Sequence, residues 1–122
     1  MWEEDLYIKA KKLCLSTESV LDKQLYEDGL TTCQCYLLYY IWAYHPEGTF
    51  TTNLHRELGL SMATVSGSLK RLRQKGYLEA QICAADERQK KLIPTRKLAD
   101  ISESLEKAIK AAEQADYGTL SA

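Results

Sequence analysis

The chain has 122 residues, a formal net charge of −1, 45% hydrophobic and 27% charged residues, the size and make-up of one soluble domain and too little for two. No run approaches the roughly 18 apolar residues needed to cross a bilayer, and the acidic start Met1-Trp2-Glu3-Glu4-Asp5 lacks the basic n-region of a signal peptide, so a cytoplasmic protein without a membrane partner is expected. The charge is unevenly placed: between Thr49 and Lys97 ten basic residues stand against four acidic ones, a net of +6, whereas the segments before and after carry −4 and −3. A basic centre between acidic ends suits a middle that meets phosphates and flanks with another task.

From Glu3 to about Tyr26 the apolar positions Leu6, Ala10, Leu13, Val20, Leu21 and Leu25 recur mostly at three- and four-residue spacing. They predict one long helix, with a break near Ser16-Thr17. Asp28-Gly29 punctuates. Thr31 or Thr32 caps a second helix running to about Tyr44, which His45-Pro46-Glu47-Gly48 ends because proline cannot continue it. This helix is rich in aromatic residues, with Tyr36, Tyr40 and Tyr44 on one face. They read either as core and junction packing or as the lining of a cleft for a small aromatic effector.

A short helix over Thr51 to Leu58 follows, with Leu54 and Leu58 inward and Gly59 as a left-handed stop. Ser61 then caps a further helix, Leu60 and Val65 take the two positions of a hydrophobic staple, and Val65, Leu69 and Leu72 form its buried stripe. Gly76 ends it in a Schellman-type turn, with Tyr77 packing back on Leu72. Two helices joined by a tight glycine turn make a helix-turn-helix candidate. In Tyr77 to Cys83, Leu78, Ala80 and Ile82 alternate with Glu79 and Gln81, the period of a half-buried strand. Residues 84–89 are expected to turn the chain and Lys90 to Ile93 to return as its partner, making a wing; Pro94, lacking an N–H, closes the ladder. Thr95 is the expected cap of one last helix of about 18 residues, whose Leu98, Ile101, Leu105, Ala108 and Ala112 form a heptad seam that Ile109 widens. Such a seam needs a partner surface: the amino-terminal helix of the same chain or of a second copy. The tail from Tyr117 is expected to fray.

The expected fold class is therefore mainly α, an α+β winged helix-turn-helix over 31–95 with a two-stranded wing, flanked by terminal dimerisation helices over 1–28 and 96–116. Opposite its buried stripe the capped helix presents Ser61, Ala63, Thr64, Ser66, Gly67, Ser68 and Arg71. Small hydroxyl side chains let a helix enter a major groove about 12 Å wide and reach base edges, and the methyls of Ala63 and Thr64 suit a thymine methyl. On the wing, Arg88 is placed to enter a minor groove, Asp86 to orient it, and Lys90 and Lys91 to hold flanking phosphates. Thr51, Thr52 and Asn53 open the short helix, whose unsatisfied N–H groups suit a backbone phosphate.

With these residues in place the sequence resembles the multiple-antibiotic-resistance-regulator (MarR) family, over roughly Leu30 to Ala112. The features that carry the resemblance are the wing, Asp86-x-Arg88-x-x-x-Leu92-x-x-Thr95, together with Leu30-Thr31-x-x-Gln34 and Leu72-x-x-x-Gly76-Tyr77-Leu78. The resemblance implies a homodimeric transcriptional repressor that binds a palindromic site on double-stranded DNA and whose effectors sit between the dimer helices and the DNA-binding unit. The chain departs from the family in a short carboxyl end and in Gly67, where an arginine is common.

The four cysteines, Cys14, Cys33, Cys35 and Cys83, read first as reduced and mostly buried thiols. Cys33 and Cys35 point roughly 200° apart on a helix, and no Cys-x-x-Cys or nearby histidine completes a metal set, so neither metal nor cofactor is expected. Cys14, Cys33 and Cys35 remain candidates for redox sensing, given a lowered thiol pKa and access; Cys14 has Lys11 and Lys12 nearby. A winged helix used purely for protein–protein contact fits poorly with a basic centre and a polar helix face. An enzyme fits no better, because His45 and His55 have no nucleophile or acid partner at motif spacing.

Overall fold

In a computed structural model the structure describes Ile8, Ala10, Lys11, Lys12, Cys14, Leu25 and residues 27–83 and 86–121, with side chains described except at 83, 86–89 and 112–121. The described residues before Asp28 are helical. Ala10 and Leu25 of the predicted long helix are fully buried; its proposed break at Ser16-Thr17 and its other apolar positions lie outside the described residues.

Helix α1 (Thr32–Tyr44) is apolar nearly all round, the mark of a central helix, and buries Cys35, Tyr36, Leu37, Leu38, Tyr40 and Ile41. Of the two candidate caps the chain uses Thr31. Its side chain accepts from the Gln34 N–H while the Gln34 side chain accepts from the Thr31 N–H, a reciprocal capping box. That pairing also satisfies Gln34, which is buried.

Helices α2 (Thr51–Leu58) and α3 (Met62–Gln74) form the helix-turn-helix. Gly59 ends α2 in the left-handed region, φ 70°. Ser61 caps α3 by accepting from the Thr64 N–H, and the staple pair Leu60 and Val65 is buried. At the far end Tyr77 N–H donates to Leu72 O and Gly76 N–H to Arg73 O, both at 3.0 Å. These are the two bonds of a Schellman turn. Val65, Leu69 and Leu72 all lie in the core.

Strands β1 (Leu78–Cys83) and β2 (Asp86–Pro94) pair antiparallel, from Leu78 opposite Pro94 out to Cys83 opposite Asp86, with an irregularity between Ile82 and Cys83. The wing is longer than expected: 86–89 are strand rather than turn. The alternating row also leaves the core sooner than expected. Leu78 is buried, Ala80 half-buried and Ile82 63% exposed, because the strands run past the edge of the body. A feature the sequence did not announce fastens the wing's base: Thr49 and Leu92 exchange both backbone bonds, at 2.9 and 2.7 Å.

The predicted last helix is two. Helix α4 (Arg96–Asp100) stops at Ile101, and helix α5 (Ser102–Ser121) continues, so the helix runs past Tyr117 instead of ending there. Ser102 Oγ donates to Ala99 O at 2.8 Å across the break. Thr95 stands at the N-cap of α4 without capping it; its hydroxyl donates to Gly76 O at 2.7 Å. Both helices pack on α1, and Leu98, Ile101, Leu105 and Ile109 are buried in the same core as Ala10, Leu25 and the helix-turn-helix. This part of the expected dimer seam is thus filled within one chain. Ala112 lies outside the described side chains. Among the described residues no helix is long and apolar enough to cross a membrane.

Candidate nucleic-acid interface

The capped start and the stripe Val65-Leu69-Leu72 fix how α3 is rotated, and the hydroxyl-bearing side faces outward as predicted. Ser61, Ala63, Thr64, Ser66, Gly67 and Arg71 are exposed. Ser68, expected on the outward side, is half-buried, since it lies three residues after Val65 and four before Leu72, on the margin of the buried stripe. Two hydroxyls are already engaged: Ser61 Oγ donates to Thr64 Oγ1 at 2.8 Å while accepting from the Thr64 N–H. Thr64 Oγ1 accepts that bond, and a hydroxyl that accepts can still donate. Lys70, Arg73 and Met62 also stand on the surface of α3. The sequence reading left them out of the site, although their spacing from the buried stripe signals exposure.

On the wing, Lys90 is exposed opposite Ile82, and Lys91 is half-buried opposite Gln81. Asp86 and Arg88 lie on β2 rather than in a terminal loop. Their side chains lie outside those described. Thr51, Thr52 and Asn53 open α2, whose N-cap residue Phe50 makes no side-chain cap bond. Asn53 Oδ1 accepts from Arg56 Nη2 at 3.1 Å.

Other cations of the basic segment have structural work. Lys75 Nζ donates to Asp28 O at 2.9 Å, Lys97 Nζ donates to Lys75 O at 2.6 Å, and the Lys97 ammonium lies 4.5 Å from the centre of the Tyr77 ring. Tyr77 itself donates to the Asp28 carboxylate. Burial, and then that bond, push its phenol above the ordinary value.

On the tyrosine face of α1, packing within the chain accounts for two of the three rings. Tyr36 and Tyr40 are core residues, and Tyr44 alone of the three is open, at 62%. The rings follow one another at 6.3 and 4.9 Å. Tyr40 OH donates to Glu57 Oε1 at 2.7 Å, and His45 Nε2 bonds the same oxygen at 2.8 Å. His45 therefore has an acidic partner that its twelve-residue separation concealed. The carboxylate joins the end of α1 to α2 and leaves Tyr40, raised by burial and by this bond, as a protonated donor. His55 Nδ1 bonds Leu60 O across the turn of the motif.

The cysteines also correct the sequence reading. Cys14 and Cys33 form a disulfide instead of remaining reduced, while Cys35 keeps its thiol and is buried. Cys83 lies outside the described side chains. Among the described residues no group of three or more metal-ligating side chains comes together.

No family model matches the sequence, and neither does any curated protein. Solved structures do match. A DNA complex of MepR from Staphylococcus aureus superposes with a TM-score of 0.69 at 22% identity, over 98% of this chain and 78% of that one. A MarR transcriptional regulator from Methanosarcina mazei Go1 gives 0.68 at 16%, over 94% and 76%. The transcriptional regulator SlyA gives 0.69 at 18%, over 93% and 75%. The helix-turn-helix, the wing and the helices around them thus make up the fold of the MarR-type winged-helix transcriptional regulators.

Proposed function

We propose that the chain is a sequence-specific double-stranded DNA-binding regulator that acts as a homodimer on a palindromic operator and represses by occupying it. The observation that carries this reading is the outer face of α3. A well-capped helix turns Ala63, Thr64, Ser66 and Gly67 to solvent with Lys70, Arg71 and Arg73 along its length, and packs against β1, whose partner strand β2 carries Lys90. Short side chains allow close approach to base edges, and flanking cations hold phosphates. That a similar structure was solved on DNA supports the same use of the fold here, and the family resemblance supports the dimer.

The test is selection of bound duplexes from a random pool with the purified protein, followed by affinity measurement across a salt series. A two-fold symmetric consensus is expected, with affinity falling steeply as salt rises because several phosphate contacts release counterions. An asymmetric or absent consensus, or a flat salt response, removes the reading.

A further inference from the structure

We propose that Met62, Ala63 and Thr64, on the first turn of α3, recognise the C5 methyl group of a pyrimidine, taking thymine and 5-methylcytosine in preference to uracil and unmethylated cytosine. This rests on the DNA-binding function proposed above and names what that face reads.

The major groove offers guanine acceptors that suit arginine or lysine, an adenine donor and acceptor that suit asparagine or glutamine, a cytosine amine that suits a carboxylate, and a thymine methyl that suits an apolar contact. From Ser61 to Leu69 the chain holds no asparagine, glutamine, aspartate, glutamate, lysine or arginine. The first long polar side chain of α3 is Lys70, more than two turns in. In a helix-turn-helix the N-terminal residues of the second helix are the ones that reach base edges. The side chains that read guanine, adenine or the cytosine amine are therefore absent where they would act. Ser66, an exposed hydroxyl in this stretch, bonds donors and acceptors alike and so discriminates little.

What stands on the first turn is apolar. Met62, 41% exposed, is the one large apolar side chain that α3 leaves open, and the methyl of Ala63 is exposed beside it. Thr64 is exposed as well, but its hydroxyl is drawn back to the cap. Oγ1 accepts from Ser61 Oγ at 2.8 Å, while Ser61 Oγ accepts from the Thr64 N–H at 3.1 Å. The branch of Thr64 that makes no bond to the cap is its Cγ2 methyl. An apolar contact of this kind meets the C5 methyl whichever exocyclic group the pyrimidine carries, and thymine and 5-methylcytosine share that methyl. Lys70, Arg71 and Arg73, exposed further along the same helix, make a polyanion the occupant by charge complementarity.

The experiment uses the full chain and a duplex selected from the random pool, at fixed salt. Each thymine in turn is replaced by deoxyuridine, which removes the C5 methyl and leaves base pairing unchanged. At the contacted thymine this is expected to weaken binding about fourfold per half-site, the worth of one buried methyl. With a C·G pair at that position, 5-methylcytosine is expected to bind about fourfold tighter than cytosine. The deoxyuridine effect should disappear in at least one of Met62→Ala, Ala63→Gly and Thr64→Ser, the last of which keeps the hydroxyl that bonds Ser61. Each effect is a ratio between two duplexes for one protein, so a smaller folded fraction in a variant cancels. No thymine whose methyl matters, an undiminished effect in all three variants, or no gain from the cytosine methyl overturns the inference and leaves the DNA-binding function intact. Binding of no duplex overturns that function, and the methyl recognition with it.

Discussion

At Gly67 neither conformation nor crowding asks for glycine. Its φ is not positive, and no atom other than those of its own helix and chain neighbours lies within 4 Å of where a Cβ would stand. An exposed glycine within a helix nevertheless costs about 1 kcal/mol relative to alanine, so the demand for a missing side chain comes from outside the chain. On the function proposed above, that demand is a DNA surface against α3. Gly67→Ala is therefore expected to raise stability by up to about 1 kcal/mol in chemical denaturation while weakening affinity for the selected duplex several-fold. A variant that is more stable and binds as well as the wild type would place Gly67 away from the contact. Glu57 shows a different use of one side chain. A single carboxylate oxygen takes both Tyr40 and His45, fixing where α2 leaves the central helix and hence where α3 is presented.

The wing illustrates at the level of elements what a sequence discloses and what it withholds. Alternation from Leu78 to Ile82 and the stop at Pro94 reveal two strands, and the caps of α1 and α3 are legible because each uses residues within three positions of one another. The outward face of α3 follows from the same local periodicity. The contacts that sequence reading missed are long-range and lack a local pattern: Thr49 with Leu92, Glu57 with Tyr40 and His45, Cys14 with Cys33. The break at Ile101 was hidden for another reason, since Leu98, Ile101 and Leu105 keep heptad spacing through it. The Thr49–Leu92 bridge gives Gly48 its role. With φ 110°, an added Cβ would lie 2.9 Å from Leu92 O, so both backbone strain and a clash oppose a side chain. Gly48→Ala is expected to cost about 1–3 kcal/mol and to speed hydrogen exchange at the Leu92 amide. A loss below about 0.5 kcal/mol, the range of an ordinary surface change, would show that the bridge does not hold the wing.

Across the whole molecule two phenols tie the helix-turn-helix and the wing to the elements around them: Tyr40 of α1 through Glu57 of α2, and Tyr77 at the root of the wing through Asp28. Both are held above the ordinary value of 10.0, first by burial and then by donating to a carboxylate, because ionisation would bury a phenolate beside a second negative charge. In the unfolded chain these phenols ionise near pH 10. The folded chain keeps their protons, so from about pH 10 upward the unfolded state binds fewer protons than the folded one. Stability then falls as pH rises, until the folded phenols themselves ionise; below pH 10 the contribution is fully present. Tyr40→Phe with Tyr77→Phe is expected to be less stable than the wild type at pH 8, each lost bond to a charged group costing about 1.5–3 kcal/mol. The double variant should also decline less steeply between pH 9.5 and about 11, since the phenols that the fold keeps protonated are gone. Denaturation midpoints across that range separate the two phenols from the remaining tyrosines and lysines, which titrate in both proteins. Parallel curves would mean that neither phenol is held protonated by the fold, and that the two carboxylates do not bind them in solution.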